Sequence, residues 1–337
     1  MSLGFGLGLQ YSKLSGGKSG NTDAFIIEVK TDELGISNND QFQFTGAVGD
    51  YDVVAKQNDT QVATFNDLSG QQTITLPSSG IYVLEITPKF TNGFNRIQFD
   101  NGGDKDKITD IKQWGTIVWS SFNSAFWGCQ NMLVTATDVP NLSNVTNMSI
   151  MFNRASSANP DTSNWDVSSV TNMFAMFGNT SSANPDVSNW DVSSVTTMRS
   201  MFFNASSANL DTSNWDVSSV TDMRYMFRDA SSANPNTSNW DVSNVTDMFS
   251  MFYKASSANP DTTNWDVSNV TNMGSMFEDS NLSTENLTLI YENWSQLNLQ
   301  QNVEFGAGIT KYNSSGQAGR DILVNTYNWI ITDGGLV

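Results

Sequence analysis

One motif recurs every 25 residues from Val145 to Phe277 with no insertion or deletion. It reads Val-Thr-x-Met-x-x-Met-Phe. Its first Met falls at 148, 173, 198, 223, 248 and 273, and its second at 151, 176, 201, 226, 251 and 276. Phe follows at 152, 177, 202, 227, 252 and 277, and Trp recurs at 165, 190, 215, 240 and 265, each time before Asp-Val-Ser. Twelve of the 14 methionines lie on this grid, so chance is excluded as its source. A fixed period of this length means that one small unit is copied and stacked, because a single unit cannot bury its apolar side alone.

Within a unit, Val170, Met173, Met176 and Phe177 are spaced 3, 3 and 1, which fits one face of a helix. The spacing predicts about two turns of α- or 3₁₀-helix, followed by an extended stretch over Asn184–Val192. The expected fold over 145–280 is therefore a repeat solenoid, leucine-rich-repeat-like, with Met and Phe in place of most leucines. Trp119, Phe122, Ala125 and Phe126 repeat the spacing 26 residues before Val145, Met148, Met151 and Phe152. Residues 104–144 thus read as an N-terminal cap with a degenerate first coil, and residues 281–337, off the grid, as a C-terminal capping unit.

Residues 21–103 differ in composition. Ala24–Lys30, Gln41–Phe44, Tyr51–Lys56, Val62–Phe65, Thr73–Leu76 and Ile81–Thr87 are short runs with β-branched or aromatic content, separated by turn clusters. They predict a small all-β sandwich. Residues 1–20 alternate Gly with apolar residues, and Leu3, Phe5, Leu7 and Leu9 read as an anchoring strand that adds to another protein's sheet edge. No basic stretch or cleavage site marks this start as an export signal.

Composition removes several function classes. The net charge of −18, with 16 basic against 34 acidic residues, excludes a general nucleic-acid binder. The absence of His removes the usual general base and the commonest metal ligand. The single Cys129 excludes internal disulfides and Cys-based zinc sites. No apolar run suits membrane insertion. Asp161 and Asp166 could pair as glycosidase carboxylates, but the pair recurs at 186/191, 211/216 and 261/266, whereas catalysis needs it once. The Asp rows read as turn caps, and a calcium ladder is the alternative, weakened by Asn236 in one position. The chain is read as non-enzymatic, with no cofactor.

The units Asn-Trp-Asp-Val-Ser-x-Val-Thr-x-Met-x-x-Met-Phe resemble the repeats of BspA-like bacterial surface proteins, found also in mycoplasma lipoprotein-type sequences. Ile111–Gly115 and Ala125–Cys129 resemble that family's N-terminal cap, and Trp329–Gly335 its close. The resemblance spans roughly residues 23–337. It implies a leucine-rich-repeat-like protein for adhesion or recognition outside the cell, without catalytic residues. The Gly-rich start resembles the N-termini of some phage structural proteins. Together these imply a phage virion surface or fibre-like protein, with a bacterial cell-surface adhesin or a purely structural virion spacer as alternatives. The implied partners are virion or cell-surface components at the tail, and a host receptor or polysaccharide along the repeats.

Comparison of the copies marks where such a ligand would bind. The Trp-Asp-Val-Ser segment hardly varies, while the pair between the two methionines and the pair after Phe vary freely. Phe174, Arg199, Phe203, Arg224, Tyr225, Arg228, Phe249 and Tyr253 fall there. Aromatics and Arg are the residue types enriched at binding hot spots, and equivalent positions of stacked units should align in columns on one face.

Overall fold

A computed structural model describes residues 21–89 and 93–337. The anchoring residues Leu3, Phe5, Leu7 and Leu9 lie outside them.

All six β-rich runs of the N-terminal region are strands: β1 (Phe25–Lys30), β2 (Gln41–Gln43), β3 (Asp50–Gln57), β4 (Thr60–Ser69), β5 (Thr73–Thr75) and β6 (Ile81–Pro88). They do not form the expected sandwich. Two further strands, β7 (Ile108–Gln113) and β8 (Leu133–Val134), join β1, β3, β4 and β6 in one six-stranded mixed sheet of order β4-β3-β6-β1-β7-β8. β8 runs parallel to β7 and the other pairs are antiparallel. The second layer is only the β2–β5 ribbon. Period-two alternation drives this layer packing. Phe25, Ile27 and Val29 of β1, Tyr51, Val53 and Ala55 of β3, and Tyr82, Leu84 and Ile86 of β6 are all buried. Phe42 and Phe44 from the ribbon side close over them, with Phe44 edge-on to Tyr51 at 5.3 Å.

The loop before the ribbon is fixed by two fully buried charges. Asp104 accepts from the backbone N–H groups of Ile36, Ser37 and Gln43. Lys107 Nζ donates to the carbonyls of Ser37, Asn38 and Gln41 at 3.1, 2.8 and 3.0 Å and to Ser37 Oγ at 2.8 Å. The two charges stand 3.9 Å apart.

The helix-containing repeat solenoid is overturned. Residues 145–280 contain no α- or 3₁₀-helix and no strand longer than a single bridge. Among the described residues the regular structure is mostly strands in three sheets, and both α-helices, α1 (Thr284–Trp294) and α2 (Gln317–Tyr327), lie in 281–337. The backbone shows why. In each unit two residues four apart hold positive φ: Ile150 and Arg154, Ala175 and Asn179, Ser200 and Asn204, Tyr225 and Asp229, Ser250 and Lys254, Ser275 and Asp279. A helix cannot propagate through left-handed residues. The segment is instead a chain of tight turns. Met151 N bonds Met148 O and Asn153 N bonds Ile150 O within the unit, while Ile150 N and Phe152 N reach Phe174 O and Met176 O of the next. Successive three-residue turns bring Val, Met, Met and Phe to the same side that a helix would.

Neighbouring units touch through single parallel bridges, Asn147–Asn172–Thr197–Asp222–Asp247–Asn272. Their apolar side chains align. Phe152, Phe177, Phe202, Phe227, Phe252 and Phe277 stack with centroids 5.4–5.7 Å apart and planes within 16°. Trp215, Trp240 and Trp265 stack at 6.3 and 6.2 Å. Within the repeats each indole from Trp190 to Trp265 donates to a carbonyl 28 residues back: Trp190 to Thr162, Trp215 to Val187, Trp240 to Thr212 and Trp265 to Thr237, at 3.0–3.3 Å. Trp165 meets the edge of Trp114 at 5.7 Å, and Phe126 stacks on Phe152 at 5.8 Å, so the core runs unbroken from the sheet into the repeats. Ser124 and Gly128, 26 residues before Ile150 and Arg154, hold the same positive φ.

At the far end Met273 bridges Phe305 of β9 (Glu304–Gly306), which pairs in parallel with β10 (Ile330–Thr332). α1 and α2 cross closely at Gly319, where a Cβ would stand 2.1 Å from the Tyr291 carbonyl oxygen. No helix among the described residues is long and apolar enough to cross a membrane.

Candidate functional site

The turn chain sets which side chains face outward. Every second residue sends its N–H to the next unit, the first Met and the Phe of each unit point into the core, and the variable positions between and after the methionines lie off it in rows at the 25-residue period. All eight candidate residues are half-buried. Seven of them meet in one patch. Arg199 lies over the rings of Phe174 and Tyr225, at 5.7 and 5.9 Å. Arg228 lies over Tyr253 at 4.7 Å, Tyr225 at 5.5 Å and Phe203 at 5.9 Å. Phe249 meets Tyr225 edge-to-face at 5.4 Å. Each of these cation–π contacts is worth about 0.5–1 kcal/mol where partly exposed.

Tyr225 is the hub, touching both arginines and Phe249. Its row is otherwise Ile150, Ala175, Ser200, Ser250 and Ser275, and every member has positive φ. That conformation is uncommon for any residue but Gly, and a β-branched or bulky side chain there, Ile150 or Tyr225, is an outlier.

The eighth candidate, Arg224, is turned elsewhere. Its Nε and Nη2 donate to Asp222 at 2.9 and 2.6 Å, and Asp247 stands 3.8 Å away. The hydrogen bonds it donates to Asp222 hold its guanidinium more firmly protonated than usual. The partner acid belongs to a row at the 25-residue period: Asn147, Asn172, Thr197, Asp222, Asp247 and Asn272. Each Asn or Asp here accepts from the backbone N–H two residues on. The grid itself carried the signal, since each of these residues sits just before a first Met. Lys254, over Tyr253 at 5.1 Å, also belongs to the patch and was missed, although it lies in the variable pair after Phe.

The Asp rows face elsewhere and are occupied by their own turns. Asp161 Oδ1 accepts from Ser163 N and Oγ at 3.1 and 2.7 Å, and Asp191 from Ser193 at 3.0 and 2.6 Å. Asn236 makes the same pair of bonds to Ser238, at 3.2 and 2.8 Å, so the position needs an oxygen acceptor and not a charge. Among the described residues no group of three or more acidic or Cys side chains is placed to hold a metal. Cys129 is fully buried, and burial pushes its thiol well above the ordinary value.

Two overlapping stretches, residues 96–212 and 175–294, match the family described as Mycoplasma protein of unknown function, DUF285. Together they cover more than half of the chain. No curated protein and no solved structure matches it.

Proposed function

The chain belongs to the DUF285 family of Mycoplasma proteins, and on that footing we propose that it is a non-enzymatic protein of the cell surface whose turn-built repeats recognise carbohydrate. The association of this family with BspA-like surface proteins supports the location, and nothing in the match points to a virion. The patch around Tyr225 is the observation that carries the ligand reading. Phe174, Phe203, Tyr225, Phe249 and Tyr253 offer rings to the apolar C–H faces of sugars, and two guanidinium groups offer donors to their hydroxyls. The patch runs over four successive units, which suits an extended polymer better than a small molecule.

A glycan array tests this. The protein is expected to bind a subset of glycans, and the double variant Tyr225→Ser/Phe249→Ser to lose that binding with an unchanged melting temperature. Retained binding in the double variant would overturn the assignment of the patch.

A further inference from the structure

Arg199 differs from its neighbours in having no acid of its own. Arg224 is held by Asp222, and Arg228 donates to Asp229 at 3.2 Å. In the row that supplies Asp222, the unit of Arg199 carries Thr197. Among the described residues no carboxylate lies within ion-pair distance of Arg199, and its side chain donates no hydrogen bond. Its Nε is buried without an acceptor. The remaining donors are the two terminal nitrogens of a plane flanked by Phe174 and Tyr225.

An uncompensated guanidinium is conspicuous here. The chain carries a net charge of −18, which repels an anion at long range. Attraction must come from a local cation, and a ring-flanked guanidinium suits two-oxygen recognition of a carboxylate or sulfate. The adjacent rings of Phe174, Tyr225 and Phe249 limit the ligand to one that also has flat apolar faces. We propose that Arg199 anchors an anionic group, carboxylate or sulfate, on a sugar of the bound glycan. This rests on the carbohydrate reading above and names its ligand class.

The probes are hyaluronan, which carries carboxylates only, dextran sulfate, which carries sulfates only, and uncharged dextran. Binding to at least one anionic polymer is expected to exceed binding to dextran, and to weaken between 50 and 200 mM salt. Arg199→Gln is expected to reduce it about tenfold to a hundredfold, the range of a lost charge-assisted pair. Lys30→Gln, the same charge change in the sheet domain, is expected to leave it unchanged. Should Arg199→Gln fold poorly, Thr197→Asp serves as the second variant. It supplies Arg199 with an internal carboxylate, as Asp222 does for Arg224, and is expected to abolish the preference for anionic polymer. Dextran bound as well as the anionic polymers, with Arg199→Gln and Thr197→Asp both silent, would overturn the anion site and leave carbohydrate recognition standing. Failure to bind any polymer or array glycan would remove both.

Discussion

The rings of Phe202 and Phe227 lie 5.7 Å apart and 5° from parallel, in the middle of a six-ring stack. Phe227 is fully buried and also stacks on Phe252 at 5.5 Å. Phe227→Ala therefore opens a cavity that two neighbouring units share. It should cost about 3–5 kcal/mol in urea unfolding, the range for buried Phe truncation.

Two tryptophans separate packing from hydrogen bonding. Trp215 Nε1 donates to the Val187 carbonyl at 3.0 Å, while the buried Nε1 of Trp165 has no partner among the described residues. Trp215→Phe takes away one of the two donors to the Val187 carbonyl, which keeps the Trp190 N–H at 3.1 Å, and Trp165→Phe removes an unpaired donor. Trp215→Phe should be the more destabilising by about 0.5–1.5 kcal/mol, the net worth of one lost hydrogen bond, read from paired denaturation curves.

The exposed carboxylates of Asp161, Asp191, Asp211 and Asp241 lie below the ordinary value of 3.8, because the hydroxyl and then the N–H of the serine two residues on bond the charged form. A carboxyl group with a lowered value in the folded state binds protons more readily when unfolded. Its contribution is present above about pH 4 and is lost as pH falls through the folded value. Melting temperature should hold down to about pH 4 and fall below it. In NMR titration, Ser213→Ala should raise the midpoint of Asp211 toward the ordinary value. Since the serines bond Oδ1 of each carboxylate and no three acidic side chains among the described residues converge on one point, calcium or a chelator should leave the melting temperature unchanged.

Lys107 offers three hydrogens to four oxygens of the 37–41 loop, deep in the first domain. Lys107→Met strands those acceptors and leaves Asp104 as a buried charge without its counter-ion. The cost should be about 3–5 kcal/mol in chemical denaturation, whereas a surface lysine such as Lys30 should cost far less.

Much of this architecture was legible in the sequence. Short runs of β-branched and aromatic residues between turn clusters located all six strands of the first domain, because such side chains suit a pleated, half-buried surface. How the strands pair was not legible: β7 and β8 lie beyond the run of strands and join it through long-range bonds. The 25-residue grid fixed which side chains are buried but misled on local conformation. A three-residue step inward belongs equally to a helix and to a run of tight turns. Of the two positive-φ rows that separate them, one falls on Ile150, Ala175, Ser200 and Tyr225, which give no left-handed signal, while the other, with Asn179, Asn204, Asp229 and Asp279, carries residue types that favour it. At the candidate site, the variable pairs located the patch. They did not show that Arg224 turns to Asp222 while Arg199 stays unpaired, which depends on one Thr in a row of Asn and Asp.

The bonds between units have a mechanical consequence. From Met148 to Met276 the backbone N–H groups that leave a unit end on an adjacent one, most on the next and others, such as those of Thr171, Thr196, Thr221, Thr246 and Thr271, on the one before, and no bond skips a neighbour. Tension along the stacking direction thus passes through these joints in series, and they yield one unit at a time. Tension across that direction loads all the N–H groups of a joint together, so they resist as a set. Under a pull along the stack the repeats would lengthen by single-unit steps.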